Sequence, residues 1–348
     1  MLVIAALGPR QSNPNVFALS SLTAPRRLTG MPGSQSPGMP QSILPDIHPA
    51  SADVREPGEW EATLAVAFER RGRGLHTARR AVVRVSPAPA GTGIVFERHL
   101  RGGRVILVPA LWDRRVSQPL CTALRHADGP LIRTVEHLLA ALSALRIDNA
   151  RVELDAEELP IFNGSATPWC EAIAQAGRVE LDAPRKVIRV LRRVEVRDGR
   201  RSLSIEPADE LSIAGRLALA HFGEMSWEGV ITPERFTRDL APSRSFGRLK
   251  WALPAKLYAL ATGRPVLRGA GFSTTAAIIG GRVIGGMTVP DEPVRHRILD
   301  LVGDLSLAGH PILGHLEAAH TGHELNHALV ARLMRDPSAW ELVTPRTG

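Results

Sequence analysis

Apolar and polar positions begin to repeat regularly only from Trp60 onward. Thr63–Phe68 and Ala81–Val85 read as strands, and Ile94–Phe96 as a third beyond a turn containing Gly91-Thr92-Gly93. Leu131–Leu145 has helical spacing, with Thr134 as candidate N-cap. Ala150–Leu154 predicts a strand and Asn163-Gly164-Ser165 a loop. The helix after it has Pro168 in its first turn and Gly177 as its stop. Residues 183–187 read as a linker, starting at Ala183-Pro184-Arg185-Lys186. Beyond it, Lys186–Val196 and Arg201–Glu206 flank Asp198-Gly199, a hairpin dipeptide. The remainder predicts a strand Leu211–Leu219, a helix Thr232–Leu240, and an irregular Gly/Pro-rich stretch over 263–290. A helix Val294–Leu307, a strand over 311–318 and a helix over 323–335 complete it. Strands running into helices in both halves predict an α+β protein with domains over 59–182 and 188–345. Residues 1–58, rich in Pro, Ser and Gly without a period, read as a disordered extension or as sequence upstream of a start at Met31 or Met39.

Composition narrows the function classes. Lys and Arg number 43 against 35 Asp and Glu, so the formal charge of +8 favours an acidic partner. The arginines are scattered and aromatics are only 4%, which argues against nucleic acid. A phosphate-bearing small substrate needs only two or three basic residues. Two cysteines, Cys121 and Cys170, form no disulfide framework and match no cysteine zinc site, which fits a reducing cytoplasm. The opening Met1–Leu7 lacks a basic flank, and no segment reaches the length of an apolar membrane span.

Three islands could perform chemistry. Thr134-Val135-Glu136-His137-Leu138 sets a charged pair in an apolar helix: a solvent-facing pair is the bland reading, a buried pair needing a metal or partner the sharper one. In Val294–Asp304, His296 and Asp300 lie four apart on one helix face, with Asp304 a turn beyond. That spacing suits joint binding of one ion, and equally suits a surface ion pair. Third, His323-Glu324-Leu325-Asn326-His327 matches H-E-x-x-H, the metalloprotease pattern with His323 and His327 as ligands and Glu324 as base. Little chain follows it to supply a third ligand, and the reading leaves the other two islands unexplained.

Taken in order and spacing, these islands resemble the UDP-3-O-acyl-N-acetylglucosamine deacetylase family, zinc enzymes of lipid A biosynthesis. The likeness spans about residues 60–345. It includes Gly74-Leu75-His76-Thr77, Ile147-Asp148-Asn149, Pro160-Ile161, Asn163-Gly164-Ser165-Ala166, Ser245-Phe246-Gly247 and Gly322-His323. The resemblance implies two similarly built domains, each a sheet packed with helices, and an active site between them. It implies Zn²⁺ on His137, His296 and Asp300, Glu136 as general base, and a protonated His323 as acid, oriented by Asp304. Ser245 would stand by the oxyanion, Phe246 would touch the sugar ring, and Arg297 and Arg201 would bind substrate. The substrate implied is a UDP-linked acylated glucosamine, met by a cytoplasmic monomer with at most peripheral membrane contact and no nucleic-acid partner.

The chain departs from the family pattern where Asn163 replaces an Asp. It departs again over the insert 248–290, where Thr274, Thr275 and Gly280-Gly281 replace acidic and amide residues. The rival readings are a zinc hydrolase of the same scaffold acting on another acylated sugar or amide, and the H-E-x-x-H protease. His327→Ala separates the last: the family reading expects zinc content unchanged by elemental analysis, whereas the protease reading expects the metal to be lost.

Overall fold

The computed structural model describes residues 59–344, apart from residue 128, residues 249–260, and residues 262 and 264. The expectation for residues 1–58 and part of that for the insert fall outside them.

The run predicted as one strand over 63–68 is two. β1 (Trp60–Leu64) ends where Ala65 and Val66 turn to bond the carbonyls of Gly177 and Ala176, at 2.9 and 3.2 Å. β2 (Phe68–Arg73) opens a different sheet with β3 (Arg80–Pro87), β4 (Ile94–His99) and β5 (Val105–Pro109). Three two-residue strands, β6 (Arg115–Val116), β7 (Ala123–Leu124) and β8 (Ile132–Arg133), lead into helix α1 (Glu136–Ala144) and then β9 (Ala150–Leu154). The five-stranded order is β2-β3-β9-β4-β5, and only β4–β9 is parallel. Alternate residues of β3 (Ala81, Val83, Val85) point into the core, as one buried face requires. Nearly every residue of α1 is buried, as an apolar surface all round demands. Thr134 does not cap α1. It sits at φ 58° and donates its hydroxyl to Glu158, and the helix starts two residues later. Helix α2 (Thr167–Ala176) ends at Gly177, and β10 (Arg178–Pro184) returns to pair with β1. Ala183 and Pro184 therefore close a strand, and Arg185, held by Asp148 at 2.8 Å, begins the crossing to the second half.

There, residues 186–196 also divide, because the two parts have different partners. β11 (Val187–Val190) pairs with later strands, while β12 (Val194–Asp198) pairs with β13 (Arg201–Glu206) across the Asp198-Gly199 turn. β14 (Leu211–Leu219) is joined by β15 (Gly223–Val230), an edge strand hidden from the sequence pattern because only Met225 and Trp227 are buried. The helix predicted over 232–240 is a short turn α3 (Pro233–Arg235), capped by Thr232, followed by a π-helical turn over Phe236–Leu240. Strands β16 (Phe246–Arg248), β17 (Ala276–Ile279) and β18 (Arg282–Val283) form a small sheet within the insert. Helix α4 (Glu292–Leu305), β19 (Ile312–Ala319), α5 (His323–Met334) and β20 (Trp340–Val343) complete the chain. β19 runs through the middle of the seven-stranded sheet, antiparallel to β13 and parallel to β14 and β11. The result is an α+β fold with a sheet and helices in each half.

The halves meet where α1 packs on α4. At Gly303 the two backbones approach so closely that a Cβ there would lie 2.1 Å from the Glu136 carbonyl oxygen. Only glycine permits that contact. In an unobstructed helix interior Gly→Ala stabilises by up to about 1 kcal/mol. Here the sign should reverse: Gly303→Ala is expected to cost about 1–3 kcal/mol through overpacking, read from urea denaturation. An unchanged or higher midpoint would contradict the close contact.

Candidate active site

His296 and Asp300 lie four positions apart on α4, about one turn, so both project toward the first turn of α1, where His137 lies. All three are buried, and their ligand-capable atoms lie within 4.8 Å of one another. Nε2 of His137 and Nε2 of His296 each stand 3.6 Å from Asp300 Oδ1. Ligands at zinc-bond lengths around one tetrahedral ion are separated by roughly 3.3–3.6 Å. Asp300 Oδ1 finds no hydrogen-bond donor among the described residues despite its burial. Nδ1 of His296 is 3.1 Å from the Ser243 carbonyl, which turns Nε2 toward the trio. Burial lowers the pKa of His296 to about 4, so its Nε2 is free to accept. The donor set thus fits a divalent cation, which would satisfy the oxygen the protein leaves unpaired.

Beside the trio stand a buried carboxyl and a buried imidazole with opposed surroundings. Glu136 is buried and accepts the Thr122 amide at 3.0 Å. Burial pushes its carboxyl up to about 7, although His323 and His137 pull it down. His323 Nε2 lies 3.8 Å from both Glu136 Oε1 and Asp300 Oδ2. Its other nitrogen, Nδ1, is 2.9 Å from Asp304 Oδ2. Burial opposes charge on this ring, but Asp304, Asp300 and Glu136 outweigh it and raise its pKa to about 10. Asp304 is wholly buried and is satisfied by His323, Asn326 and the Thr122 hydroxyl.

A cavity of about 830 Å³ opens over this group, lined also by Ser245, Phe246, Arg297 and Arg201. Every sequence-predicted site residue except Asp304, which lies beneath His323, faces that one space. Ser245 is held from both sides: its amide bonds Gly164 at 2.7 Å, and its carbonyl accepts the Ala276 amide at 2.7 Å. The Asn163 loop therefore reaches across from the first half to set Ser245. Asn163 Oδ1 accepts from the Ser165 hydroxyl at 2.8 Å, and an amide oxygen accepts there as well as a carboxylate would. The Arg297 guanidinium lies 5.4 Å from the Phe246 ring centroid, and a Cβ on Gly322 would stand 2.8 Å from Arg297 and 4.0 Å from Arg201. The two arginines form a basic wall.

The H-E-x-x-H match does not assemble as a protease site. Glu324 is paired with Arg115 and bonded by Ser117 at 2.8 Å. His327 is buried, with Nε2 2.9 Å from the Thr122 hydroxyl. Asp304, His323 and His327 also lie close enough to hold an ion. The atoms they turn toward one another already have partners: His323 and Asp304 meet at 2.9 Å, and His327 Nε2, 3.5 Å from Asp304, is taken up by the Thr122 hydroxyl.

Sequence reasoning missed four contributors. Thr122 links Glu136, Asp304 and His327 but belongs to no pattern. Asn326 sits within the matched pattern yet was given no role. Glu158 accepts the His76 and Thr77 amides, each at 2.7 Å, and so shapes the Gly74–Thr77 loop beside the cavity. Glu292, fully buried at the start of α4, accepts from the Arg244 amide (2.9 Å), the Arg244 guanidinium (2.8 Å) and the Thr288 hydroxyl (2.7 Å). It thereby clamps both ends of the insert next to Ser243 and Ser245.

Buried groups that could hold an ion, beside a carboxyl raised toward neutrality and a cationic imidazole, are an arrangement that suits a metal-assisted hydrolase. Similarity to known proteins narrows that class. Residues 61–335 match the family model for UDP-3-O-acyl N-acetylglycosamine deacetylase. The chain is 38% identical over 290 residues to the UDP-3-O-acyl-N-acetylglucosamine deacetylase of Myxococcus xanthus, covering 82% of this chain and 90% of the relative. It is 36% identical over 288 residues to the enzyme of that name from Solibacter usitatus, covering 82% and 95%. The corresponding Geobacter enzyme is 38% identical over 289 residues, covering 82% and 92%. This chain belongs to the UDP-3-O-acyl-N-acetylglucosamine deacetylase family.

The Glu292 clamp has a pH signature. Burial raises its pKa, but the hydrogen bonds from Arg244 and Thr288 outweigh that and hold it below its ordinary value. Its stabilising contribution is complete above the ordinary carboxylate range and is lost as pH falls through the depressed folded value. Glu292→Gln should therefore cost about 1–3 kcal/mol at neutral pH and progressively less in acid. An equal deficit at both ends of that range would contradict the charged clamp.

Proposed function

We propose that the chain hydrolyses the N-acetyl group of a UDP-3-O-acyl-N-acetylglucosamine, releasing acetate, in the cytoplasmic route to lipid A, with Zn²⁺ on His137, His296 and Asp300. The observation supporting it most directly is the buried, unpaired Asp300 Oδ1 equidistant from two imidazole nitrogens. When bound there, zinc polarises the amide carbonyl and lets water lose a proton near neutral pH.

The protein's own groups supply the remainder. Glu136 is placed to take the water proton at Oε1, since its other oxygen is occupied by the Thr122 amide. His323 presents Nε2 to the cavity while Asp304 holds Nδ1, so it can protonate the departing amine, a poor leaving group without an acid. Its positive charge also faces the negative charge that develops on the amide oxygen, with the Ser245 hydroxyl nearby. The Arg297–Arg201 wall suits the diphosphate, and Phe246 presents an apolar face to the sugar.

Purified protein should contain zinc and release acetate from the UDP-sugar. His137→Ala should lose the metal. Glu136→Gln should keep it while turnover falls by roughly 10²–10⁴-fold. Normal turnover in Glu136→Gln would refute the base assignment. A zinc-loaded protein that releases no acetate would move the substrate to another acylated sugar or amide.

A further inference from the structure

The insert distributes its charge and its apolar surface in a way the deacetylation chemistry does not require. Between Asp239 and Asp291 the sequence has no acidic residue, yet it includes Arg244, Arg248, Lys250, Lys256, Arg264, Arg268 and Arg282. Against a formal charge of +8 for the whole chain, most of the excess resides in this one segment. Among the described residues, only Arg244 of this set is neutralised by a buried partner, Glu292.

The same segment leaves large apolar side chains in solvent. Phe272 is 67% exposed, Ile279 46%, Ile284 45% and Met287 39%. The register of the β17–β18 hairpin shows that this exposure is ordered. Ile279 pairs with Arg282 and Ile278 with Val283, and the Ile284 amide bonds the Ala277 carbonyl at 2.9 Å. Residues directly across a pair, and those two along, share a face. Ala277, Ile279, Arg282 and Ile284 are therefore on one face, while Ile278 is buried behind it. Ala277 and Phe272 also line the active-site cavity. The cavity wall thus continues outward, without a break in the sheet, into an exposed surface of isoleucines around an arginine. The Gly280-Gly281 turn, both residues at positive φ, braces the hairpin against the β14–β15 turn, where a Cβ on Gly281 would lie 2.6 Å from the His221 carbonyl oxygen, and the Glu292 clamp anchors the base.

Exposed isoleucines in a segment of unbalanced positive charge match a surface that is apolar just below a layer of negative charge. We infer that the β17–β18 hairpin docks on an anionic lipid bilayer, with the cavity mouth facing it. The inference extends the proposed function, since a substrate bearing an acyl chain would meet the cavity from that side. It is tested without turnover, so its failure and failure of the deacetylase reading are distinguishable.

The experiment is co-sedimentation of the full chain with phosphatidylcholine vesicles, with and without phosphatidylglycerol, at low and high salt. Binding is expected only to the anionic vesicles and should weaken with salt, as charges near a surface are screened. Arg282→Glu replaces a positive charge by a negative one and should weaken partitioning by roughly thirtyfold, at about 1 kcal/mol for each unit of charge near such a surface. Ile279→Asp with Ile284→Asp should abolish it, each variant being checked by its melting temperature. A second readout does not depend on those variants. Cys121 and Cys170 are 1% and 2% exposed, so Ile284→Cys can be labelled selectively with an environment-sensitive dye. Its emission should shift to the blue on adding anionic vesicles and stay unchanged with neutral ones. No binding, equal binding to neutral vesicles, undiminished binding by the variants, or an unmoved dye would each overturn the inference.

Discussion

The contact between α1 and α4 at Gly303 is the constraint on which the site depends. Glu136 and His137 open α1, and Asp300 and Asp304 bracket Gly303 on α4. Absence of a single Cβ therefore brings two pairs of reactive side chains within a few ångströms. With the helices at an ordinary packing distance of about 8–10 Å set by side chains, His137 would not share a centre with His296 and Asp300. The same approach places His323, at the start of α5, between Glu136 and Asp304.

Three buried carboxylates so close together would be costly unless each had a distinct solution. Asp304 is surrounded by donors and stays charged, and its charge keeps His323 cationic. Asp300 is only partly satisfied, which leaves a lone pair for an ion. Glu136 has one amide donor, and burial raises its carboxyl toward neutrality. Differing environments thus suit groups of similar chemistry to the separate roles proposed for them. Thr122 helps to keep those roles apart, because its amide serves Glu136 while its hydroxyl serves Asp304.

The insert completes the cavity from the second half while leaning on the first. The turn ahead of its returning strand is bonded to the Gly74–Thr77 loop through the Gly269 and Arg268 amides, at 2.9 and 3.1 Å. Its base is fixed by Glu292 and by the Asn163 loop. A rigid base beneath an apolar, basic tip gives the active-site mouth a chemical character quite different from that of its floor.

Much of the chemistry was legible in order and spacing. The i, i+4 pair on α4, the Glu-His pair on α1 and the Gly-His start of α5 are local patterns, and their joint occurrence identified the family. The Ile147-Asp148-Asn149 signature was legible too. Its structural role was not, since Asp148 and Asn149 fasten β1, β4 and Arg185 together across the fold. Periodicity placed the main helices and most strands, yet it merged strands wherever the chain changed partner without changing polarity, as at Ala65 and Leu191. It also missed β15, whose edge position buries too few residues to leave a pattern. Whether His296, Asp300 and Asp304 face water or the core could not be read from α4 alone, since a polar stripe suits either. Tertiary packing decided it, because burial is a property of what lies opposite. Residue order and helical period establish which reactive groups exist and on which helical faces they stand. Only the folded chain determined that α1 covers the α4 stripe, that Glu324 is drawn to Arg115 and His327 to Thr122, and that Thr122 joins the network. Those outcomes depend on contacts between residues up to 209 positions apart, which no local spacing encodes.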